Sequence, residues 1–414
     1  MENFETHLAK YAHLLIKMGL QIKPGDNVMI YIAVDQLPLA RLLQKEAYEA
    51  GAKRVHFTWS DDELARNRYH YESEETLTEN PEYEQARRKD LIENQKICRI
   101  SVLSSDPDSL SGLTDRDKLQ KAQKATILAR KLVMNATMRN DIKWNVAAAS
   151  SYGWAKHIFP ELADDPDKCV EALWDAIFQA NRIYEDDPIK AWEDHMANLK
   201  KRAQQMNDFQ FDKLHYQAPG TDFTVGLPKN HIWAGGDSVS AAGDPFVANM
   251  PTEEIFTAPD TNRLDGVIVS TKPLAYQNET IIGIRMECHD GQITDITAEQ
   301  GAEIMQNLVN NNKGAHGLGE VALVPHHSPI SDSNLTFYQT LFDENASCHI
   351  AIGAAYPHNV AGTKDDDEET LLKKGVNVSD VHVDFMVGSD KMNIDGITKD
   401  GEVVPVFRNG EWAI

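Results

Sequence analysis

A histidine and an aspartate, His382 and Asp384, stand two positions apart in the run 381–387. The β-branched and aromatic residues of this run predict a strand, whose side chains alternate between two faces. The imidazole and the carboxylate therefore share one face, and both groups are good ligands for zinc-like ions. A histidine and an aspartate in this arrangement also commonly form a hydrogen-bonded pair on the protein surface. A metal site is therefore indicated only if further ligands lie nearby. The apolar residues predicted to be buried on the opposite face are Val381, Val383 and Phe385.

Two adjacent glutamates, Glu253 and Glu254, follow a proline turn and precede the apolar residues Ile255 and Phe256. Neighbouring side chains on an extended segment point to opposite sides, so the two glutamates cannot easily ligate the same ion. The arrangement suits one carboxylate on a metal and the other free to take a proton from water. The spacing leaves open which glutamate has which role, and adjacent glutamates also occur on the surfaces of acidic proteins.

Three further candidates lie between these two motifs. Glu320 follows Gly317-Leu318-Gly319, and such glycines suggest a backbone that passes close to another group. The run 334–344 is predicted to be helical, which places Glu344 at a helix C-terminus, where the helix dipole disfavours negative charge. A nearby cation, such as a metal ion, would reverse that penalty. Five residues later, His349 occupies the polar side of the alternating run 347–352.

Other chemistries lack their sequence signatures. The chain contains no G-x-S-x-G nucleophile motif, no H-E-x-x-H metalloprotease motif and no glycine-rich nucleotide-binding loop after a predicted strand. What remains is a carboxylate-rich set with two histidines, which favours a two-metal site over a mononuclear site with three histidines. Tyr356, just before Pro357, gains interest only from its neighbours in this set.

The pattern of predicted strands and helices that must position these residues indicates an α/β protein of two domains. In the first half, predicted strands such as 28–34 and 97–103 alternate with helices such as 115–138, which favours a mostly parallel sheet. Beyond residue 211 predicted strands dominate, with one helix near 302–311. We therefore expect an N-terminal α/β domain, residues 1–210, and a C-terminal α+β domain, residues 211–414, that carries the two-metal site.

Composition narrows the function classes. The 41 basic and 64 acidic residues give a net charge of −23, which disfavours nucleic acid or an anionic membrane as a partner. The four cysteines show no C-x-x-C spacing, so neither a disulfide framework nor a thiolate zinc site is expected. The N-terminus has no basic and apolar signal-peptide pattern, and no apolar run approaches the roughly 20 residues that span a bilayer. We expect a cytoplasmic protein.

Taken together, six segments closely resemble the metal-dependent aminopeptidases of the aminopeptidase T / aminopeptidase S (PepS-like) family. The resemblance runs the length of the chain and is most specific between residues 249 and 386. The segments are 249–259 (NMPTEEIFTAP), 270–274 (STKPL), 319–323 (GEVAL), 329–334 (PISDSN), 341–349 (LFDENASCH) and 381–386 (VHVDFM).

The resemblance implies a homodimeric metalloaminopeptidase that releases N-terminal amino acids from peptides, using water activated by two divalent ions (Zn, Co, Mn or Mg). It implies that one of the paired glutamates is a ligand; family spacing favours Glu254, leaving Glu253 as the base. Tyr356 would be a hydroxyl near the reacting carbonyl. The implied metal ligands are Glu254, Glu320, Glu344, His349, His382 and Asp384.

Two alternatives stay open at this point. The same metals could hydrolyse another small amide or ester, as a metal-dependent amidohydrolase or esterase. The second half could instead be a non-catalytic metal-binding module. Cleavage of short peptides with a free N-terminus distinguishes the aminopeptidase hypothesis from both alternatives.

Overall fold

The protein is described by a computed structural model over residues 3–104, 106–277, 279–363 and 366–414. It is a mixed α/β protein, as the sequence predicted. The chain forms two compact units, Met1–Glu193 with Asp237–Pro251, and Asp194–Gly236 with Thr252–Ile414. The first passes into the second within the helix Pro188–Phe209. The domain boundary at residue 210 stays a prediction.

The first unit is built on a parallel sheet of four strands. Its apolar strands are buried because helices follow them in the chain, as parallel pairing requires. All the pairings are parallel, which confirms the predicted α/β rhythm. In spatial order the strands are Arg54–Ser60, Asn27–Ala33, Cys98–Leu103 and Trp144–Ala148. A short antiparallel pair, Ser238–Val239 and Pro245–Phe246, completes the strands described in this unit.

Helices fill the connections of the first unit. Several begin at a residue whose side-chain oxygen accepts a hydrogen bond from a backbone N–H of the first turn, as Asp115 does for Lys118. The sequence analysis missed the three helices between the second and third strands. The α-helices are Phe4–Leu14, Leu37–Glu49, Asp62–Tyr71, Glu74–Thr78, Glu82–Lys89, Arg116–Met138, Tyr152–Ile158 and Pro166–Ala180. Two π-helical turns, Leu15–Leu20 and Asp90–Asn94, extend the first and fifth of these.

The second unit contains an antiparallel sheet of eight strands. It starts from the hairpin 213–226, whose turn lies at Pro219-Gly220. In spatial order the strands are Gln292–Thr297, Arg285–His289, Leu264–Val269, Thr221–Gly226, Lys213–Ala218, Asn393–Ile397, Val403–Arg408 and Glu411–Trp412. A separate pair, Leu274–Tyr276 and Glu279–Ile281, is also antiparallel.

A second, five-stranded antiparallel sheet in this unit carries the candidate ligands, and we call it the site sheet. Its strands contain many β-branched and aliphatic residues, and both faces are largely buried. In spatial order the strands are His382–Met386, His349–Gly353, Leu318–Leu323, Ile255–Thr257 and Ala234–Gly235.

Besides the end of Pro188–Phe209, the described part of this unit has the α-helices Ala302–Asn311, Thr340–Asp343 and Glu368–Lys373. Single 3-10 turns occur at Ser331–Ser333, Glu344–Ala346 and Pro357–Asn359. The helix Ala302–Asn311 has the predicted bounds. Nowhere in the described ranges does a helix have the length and apolar character needed to cross a membrane.

The predicted helix 334–344 is wrong: α-helix is confined to Thr340–Asp343. Asn334 and Tyr338 have positive φ angles of 55° and 52°, which a right-handed helix excludes. The carboxylate of Asp343 accepts hydrogen bonds from the backbone N–H groups of Phe337 at 2.7 Å and Gln339 at 3.0 Å. These N–H groups are therefore bonded by a side chain rather than by a helical carbonyl.

Candidate active site

One face of the site sheet gathers most of the predicted ligands. Glu320 pairs in register with Ala351, and Ala351 pairs with Asp384, so the three residues form one row across three strands. Residues in one row of an antiparallel sheet point to the same face. His349 and His382 lie two positions from this row along their strands, and strand alternation places both on the same face.

Glu254, Glu320 and His349 form a buried cluster of possible ligand atoms. One atom each of Glu254, Glu320 and His349 lies within 4.8 Å of the other two. His349 Nε2 is 3.0 Å from Glu254 Oε2 and 3.5 Å from Glu320 Oε1. All three side chains are buried, with His349 only 1% exposed. A buried group of two carboxylates and an imidazole is a typical donor set for a divalent ion.

His382 and Asp384 extend this cluster along the edge strand. His382 Nε2 is 3.4 Å from Asp384 Oδ1 and 3.8 Å from Glu320 Oε2. Glu320 thus has one carboxylate oxygen toward each histidine. On the opposite face Val383 and Phe385 are buried, as predicted, whereas Val381 precedes the strand and is half-buried.

The two histidines share one orientation. His349 Nδ1 is 3.1 Å from the carbonyl oxygen of Ser347, and His382 Nδ1 is 2.7 Å from that of Ala354. Because a carbonyl oxygen only accepts hydrogen bonds, Nδ1 carries the hydrogen in both rings. Nε2 of each neutral ring then presents a lone pair to the carboxylates. Backbone contacts of this kind orient histidine ligands in metal sites.

The carboxylates perturb one another strongly. Burial raises the pKa of Glu320 to about 7, and the nearby charges of Asp384 and Glu254 add to the rise. Burial would lower the pKa of His382, but Asp384 and Glu320 raise it to about 10. Burial opposes ionisation of Asp384, yet His382 and His349 keep the pKa of its carboxyl below the ordinary value. A concentration of buried negative charge therefore requires positive charge at this place.

Glu344 and Tyr356 border the cluster. Burial raises the pKa of Glu344 well above its ordinary value, and the charges of Asp384 and Glu254 raise it further. Burial likewise raises the pKa of Tyr356, so its hydroxyl keeps its proton and can donate a hydrogen bond. The Tyr356 ring centroid is 5.4 Å from that of His382.

The donor set fits a divalent metal. Glu254 Oε2 and Asp384 Oδ1 are buried and have no well-formed hydrogen bond to any of the described residues. Unpaired buried carboxylate oxygens are costly, and here they face imidazole nitrogens that the backbone contacts leave without a hydrogen in the neutral ring. Acceptor atoms that face one another require a cation between them, either a proton on the imidazole or a metal ion. The chemistry of the set matches that of carboxylate-rich metal hydrolases.

The paired glutamates have different surroundings, as strand alternation predicted. Glu254 faces His349, whereas Glu253 Oε2 lies 3.3 Å from His195 Nε2. The backbone N–H of Glu253 donates to Asn345 Oδ1 at 2.7 Å. The structure thus separates the two carboxylates, although spacing alone leaves their roles open.

Sequence reasoning missed His195 and Asn345. His195 lies in the helix Pro188–Phe209, 57 residues before Thr252, and no motif or periodicity joins the two segments. Asn345 follows Glu344 directly, and its complete burial is the feature that marks it. Its position directly after a candidate ligand is the signal from which the sequence analysis could have identified it.

The glycines beside Glu320 have the close neighbours that the sequence suggested. A Cβ atom on Gly317 would lie 2.2 Å from Thr261 Oγ1, and one on Gly319 would lie 2.1 Å from the carbonyl oxygen of Ala354. Both distances are far shorter than van der Waals contact. Ala354 is also the residue that orients His382, so the close approach at Gly319 brings the strand of Glu320 up to that carbonyl.

Comparison with known proteins extends over the whole chain. A family profile described as thermophilic metalloprotease (M29) matches residues 4–412. Aminopeptidase PepS of Streptococcus thermophilus is 49% identical over 414 residues, and aminopeptidase AmpS of Bacillus subtilis is 45% identical over 413 residues; each match covers 100% of both chains. The solved structure of wild-type AmpT from Thermus thermophilus matches with a TM-score of 0.93 at 37% identity, covering 99% of this chain and 100% of that chain.

Proposed function

The chain belongs to the M29 family of metalloproteases and is a metal-dependent aminopeptidase acting on peptides, and from this premise we propose a two-metal active site on the site sheet. Glu253 is the general base in this proposal, and Tyr356 is the hydrogen-bond donor to the reacting carbonyl. The residues that would hold the two ions are Glu254, Glu320, Glu344, His349, His382 and Asp384.

One observation carries the proposal: Glu320 presents one oxygen to each of the two histidines. Oε1 lies 3.5 Å from His349 Nε2, and Oε2 lies 3.8 Å from His382 Nε2. A carboxylate with this placement would help to hold divalent ions on the side of either histidine. The remaining carboxylates then divide between the two sides, Glu254 beside His349 and Asp384 beside His382.

The assignment of Glu254 as ligand and Glu253 as base is supported by their contacts. Glu254 Oε2 is 3.0 Å from His349 Nε2, inside the cluster of possible ligands. Glu253 contacts His195, which belongs to a different element, and its carboxylate is only 5% exposed. A buried carboxylate that lies outside the ligand cluster, but next to a ligand in the chain, is well placed to accept a proton from water at the edge of that cluster.

The mechanism assigns one task to each side chain. Divalent ions held here would polarise the scissile carbonyl and lower the pKa of a water molecule. Glu253 accepts the proton that this water loses on attack and later delivers it to the leaving amine. The protonated hydroxyl of Tyr356 donates a hydrogen bond to the oxygen on which negative charge develops. The free α-amino group of the substrate would bind a metal ion or a nearby carboxylate, which limits cleavage to the N-terminal residue.

The types of ligand atom also limit which metal ions the site would hold. Four carboxylates and two imidazoles suit Zn²⁺, Co²⁺, Mn²⁺ and Mg²⁺ in turn, so we propose two such ions per chain without choosing among them. The homodimeric assembly and the cytoplasmic location remain predictions of the sequence.

The test combines metal removal with a blocked substrate. An aminoacyl p-nitroanilide should be hydrolysed, the activity should vanish after exhaustive chelation, and Co²⁺ or Zn²⁺ should restore it. Elemental analysis of the active protein should give two ions per chain. Activity that survives chelation would overturn the proposal.

The matched control is the same p-nitroanilide with an acetylated amino group. The aminopeptidase hypothesis predicts that the acetylated substrate is not cleaved, because a free amino group is needed for binding. Equal cleavage of both substrates would favour the alternative amidohydrolase or esterase activity.

A further inference from the structure

His195 lies beside the proposed base, and its side chain is only 12% exposed. Its Nε2 atom lies 2.8 Å from the carbonyl oxygen of Thr252 and 3.3 Å from Glu253 Oε2. The two contacts belong to consecutive residues of the segment that leads into Glu254. A single ring nitrogen thus contacts both the backbone and the side chain of the base segment.

The contact with Thr252 settles which ring nitrogen carries hydrogen. A carbonyl oxygen accepts and cannot donate, so a 2.8 Å contact requires a hydrogen on His195 Nε2. The same Nε2 atom lies 3.3 Å from Glu253 Oε2, so its hydrogen is within reach of that carboxylate. His195 Nε2 therefore cannot take a proton from Glu253 or from water, which excludes a role as a relay base at this atom.

We propose that His195 is a positioning residue for Glu253: its Nε2–H holds the carboxylate of the base in the orientation in which it accepts the proton of the attacking water. This inference rests on the proposed role of Glu253. A glutamate side chain has three rotatable bonds, and a general base is effective only within hydrogen-bond reach of the proton it abstracts. A donor that anchors one carboxylate oxygen leaves the other oriented for that transfer.

The backbone of the same residue is anchored from a second element. The N–H of Glu253 donates to Asn345 Oδ1 at 2.7 Å, and Asn345 Nδ2 donates to the carbonyl oxygen of Leu341 at 2.9 Å. Asn345 fixes where the residue sits, and His195 fixes where its carboxylate points. Glu254 is directed to the other side by the extended backbone, so we expect the contact with His195 to act on the base.

The first experiment compares His195→Leu with His195→Gln. Leucine has no donor, whereas the glutamine amide can reach the same acceptors with an N–H. For the metal-loaded enzyme we expect His195→Leu to lower kcat about 10- to 100-fold with KM and metal content unchanged. His195→Gln should recover most of that loss. A rise in KM with unchanged kcat, or a loss of metal, would overturn the positioning role.

Double substitution separates this inference from the proposed function. If His195 acts through Glu253, the combination of His195→Leu and Glu253→Gln should be no slower than Glu253→Gln alone. Additive losses would overturn the inference while leaving Glu253 as the base. A fully active Glu253→Gln enzyme would overturn the assignment of the base itself.

A spectroscopic readout needs no turnover. In the chain labelled with ¹⁵N-histidine, the signal that disappears in His195→Gln should be that of a ring with hydrogen on Nε2. A signal from a ring with an unprotonated Nε2 would show that His195 accepts rather than donates, and would contradict the proposal.

Discussion

Glu320 and Asp384 flank Ala351 in one register row of the site sheet, so that two carboxylates on the same face are separated by a methyl group. Adjacent strands lie about 4.8 Å apart, which places the two backbones about 10 Å from each other. Their side chains converge over the small residue between them. The space in which the acidic side chains meet therefore depends on Ala351.

We expect Ala351→Leu to obstruct that space. A leucine side chain would project between the two carboxylates, and the affinity for divalent ions should fall about 10- to 100-fold, as when the surroundings of metal ligands are disturbed. Titration with Zn²⁺ or Co²⁺ measures this directly. The matched control is Ile350→Val on the opposite, apolar face, which should cost about 1 kcal/mol of stability and leave metal affinity unchanged. Unchanged affinity in Ala351→Leu would show that the carboxylates do not meet over this residue.

Tyr356→Phe removes the hydroxyl that we assign to the developing oxyanion. Because burial keeps the pKa of Tyr356 well above its ordinary value, the hydroxyl is a donor throughout the working pH range. Loss of one such donor should reduce kcat about 100- to 1,000-fold with little change in KM or metal content. Steady-state kinetics with an aminoacyl p-nitroanilide measure the two constants. A variant with wild-type kcat would remove Tyr356 from the mechanism.

The sequence predicted the strands of the site better than its turns. Alternation along the run 381–387 placed His382 and Asp384 on one face, and the structure has them there with Val383 and Phe385 opposite. A period-two pattern of apolar and polar residues is a reliable guide to the two faces of a strand, because successive side chains of a pleated strand point to opposite sides. The row formed by Glu320 and Asp384 depends on strand order and register, which no local pattern contains.

The helix predicted for 334–344 failed for a physical reason. The apolar stripe expected for that helix is only partly buried: Leu341 and Phe342 are buried, whereas Leu335 and Tyr338 are half-buried. The backbone instead turns through left-handed conformations, while Asp343 bonds the N–H groups of Phe337 and Gln339. The competing side-chain acceptor, which the apolar pattern does not show, decided the conformation. His195 could not be predicted from the local sequence, because Thr252 and Glu253 are distant from it in the chain.

Asn345→Ala should weaken both the fold and the site. Asn345 is fully buried, and its removal leaves the N–H of Glu253 and the carbonyl oxygen of Leu341 without these partners. We expect a loss of about 1–3 kcal/mol in the free energy of unfolding together with a lower kcat. Asn181→Ala is the matched control, because Asn181 is also fully buried and its side chain also donates to the carbonyl four residues earlier. That variant should lose stability and keep kcat; equal kcat in both variants would contradict a role for Asn345 at the site.

His231 should make the stability of the protein sensitive to acid. It is 2% exposed, its Nδ1 contacts the carbonyl oxygen of Pro228 at 3.0 Å, and its Nε2 has no hydrogen-bond partner among the residues described. Burial lowers the pKa of His231 from 6.5 to about 4, with Lys399 and Arg263 adding to the shift. Below pH 6.5 the unfolded chain binds a proton that the folded chain refuses, so stability is complete above that pH and falls as pH drops toward 4.

His231→Phe tests this linkage, because phenylalanine fills a similar volume and cannot be protonated. The backbone N–H of residue 231 still reaches the carbonyl oxygen of Pro228, at 3.1 Å in the wild type, so that acceptor keeps a partner. Urea unfolding between pH 4 and pH 8 should show the wild type losing about 3 kcal/mol more than the variant across the acid range, at about 1.4 kcal/mol per pH unit at the steepest point. Parallel pH profiles for the two proteins would mean that His231 is protonated equally in the folded and unfolded states, and that its burial does not govern the acid sensitivity.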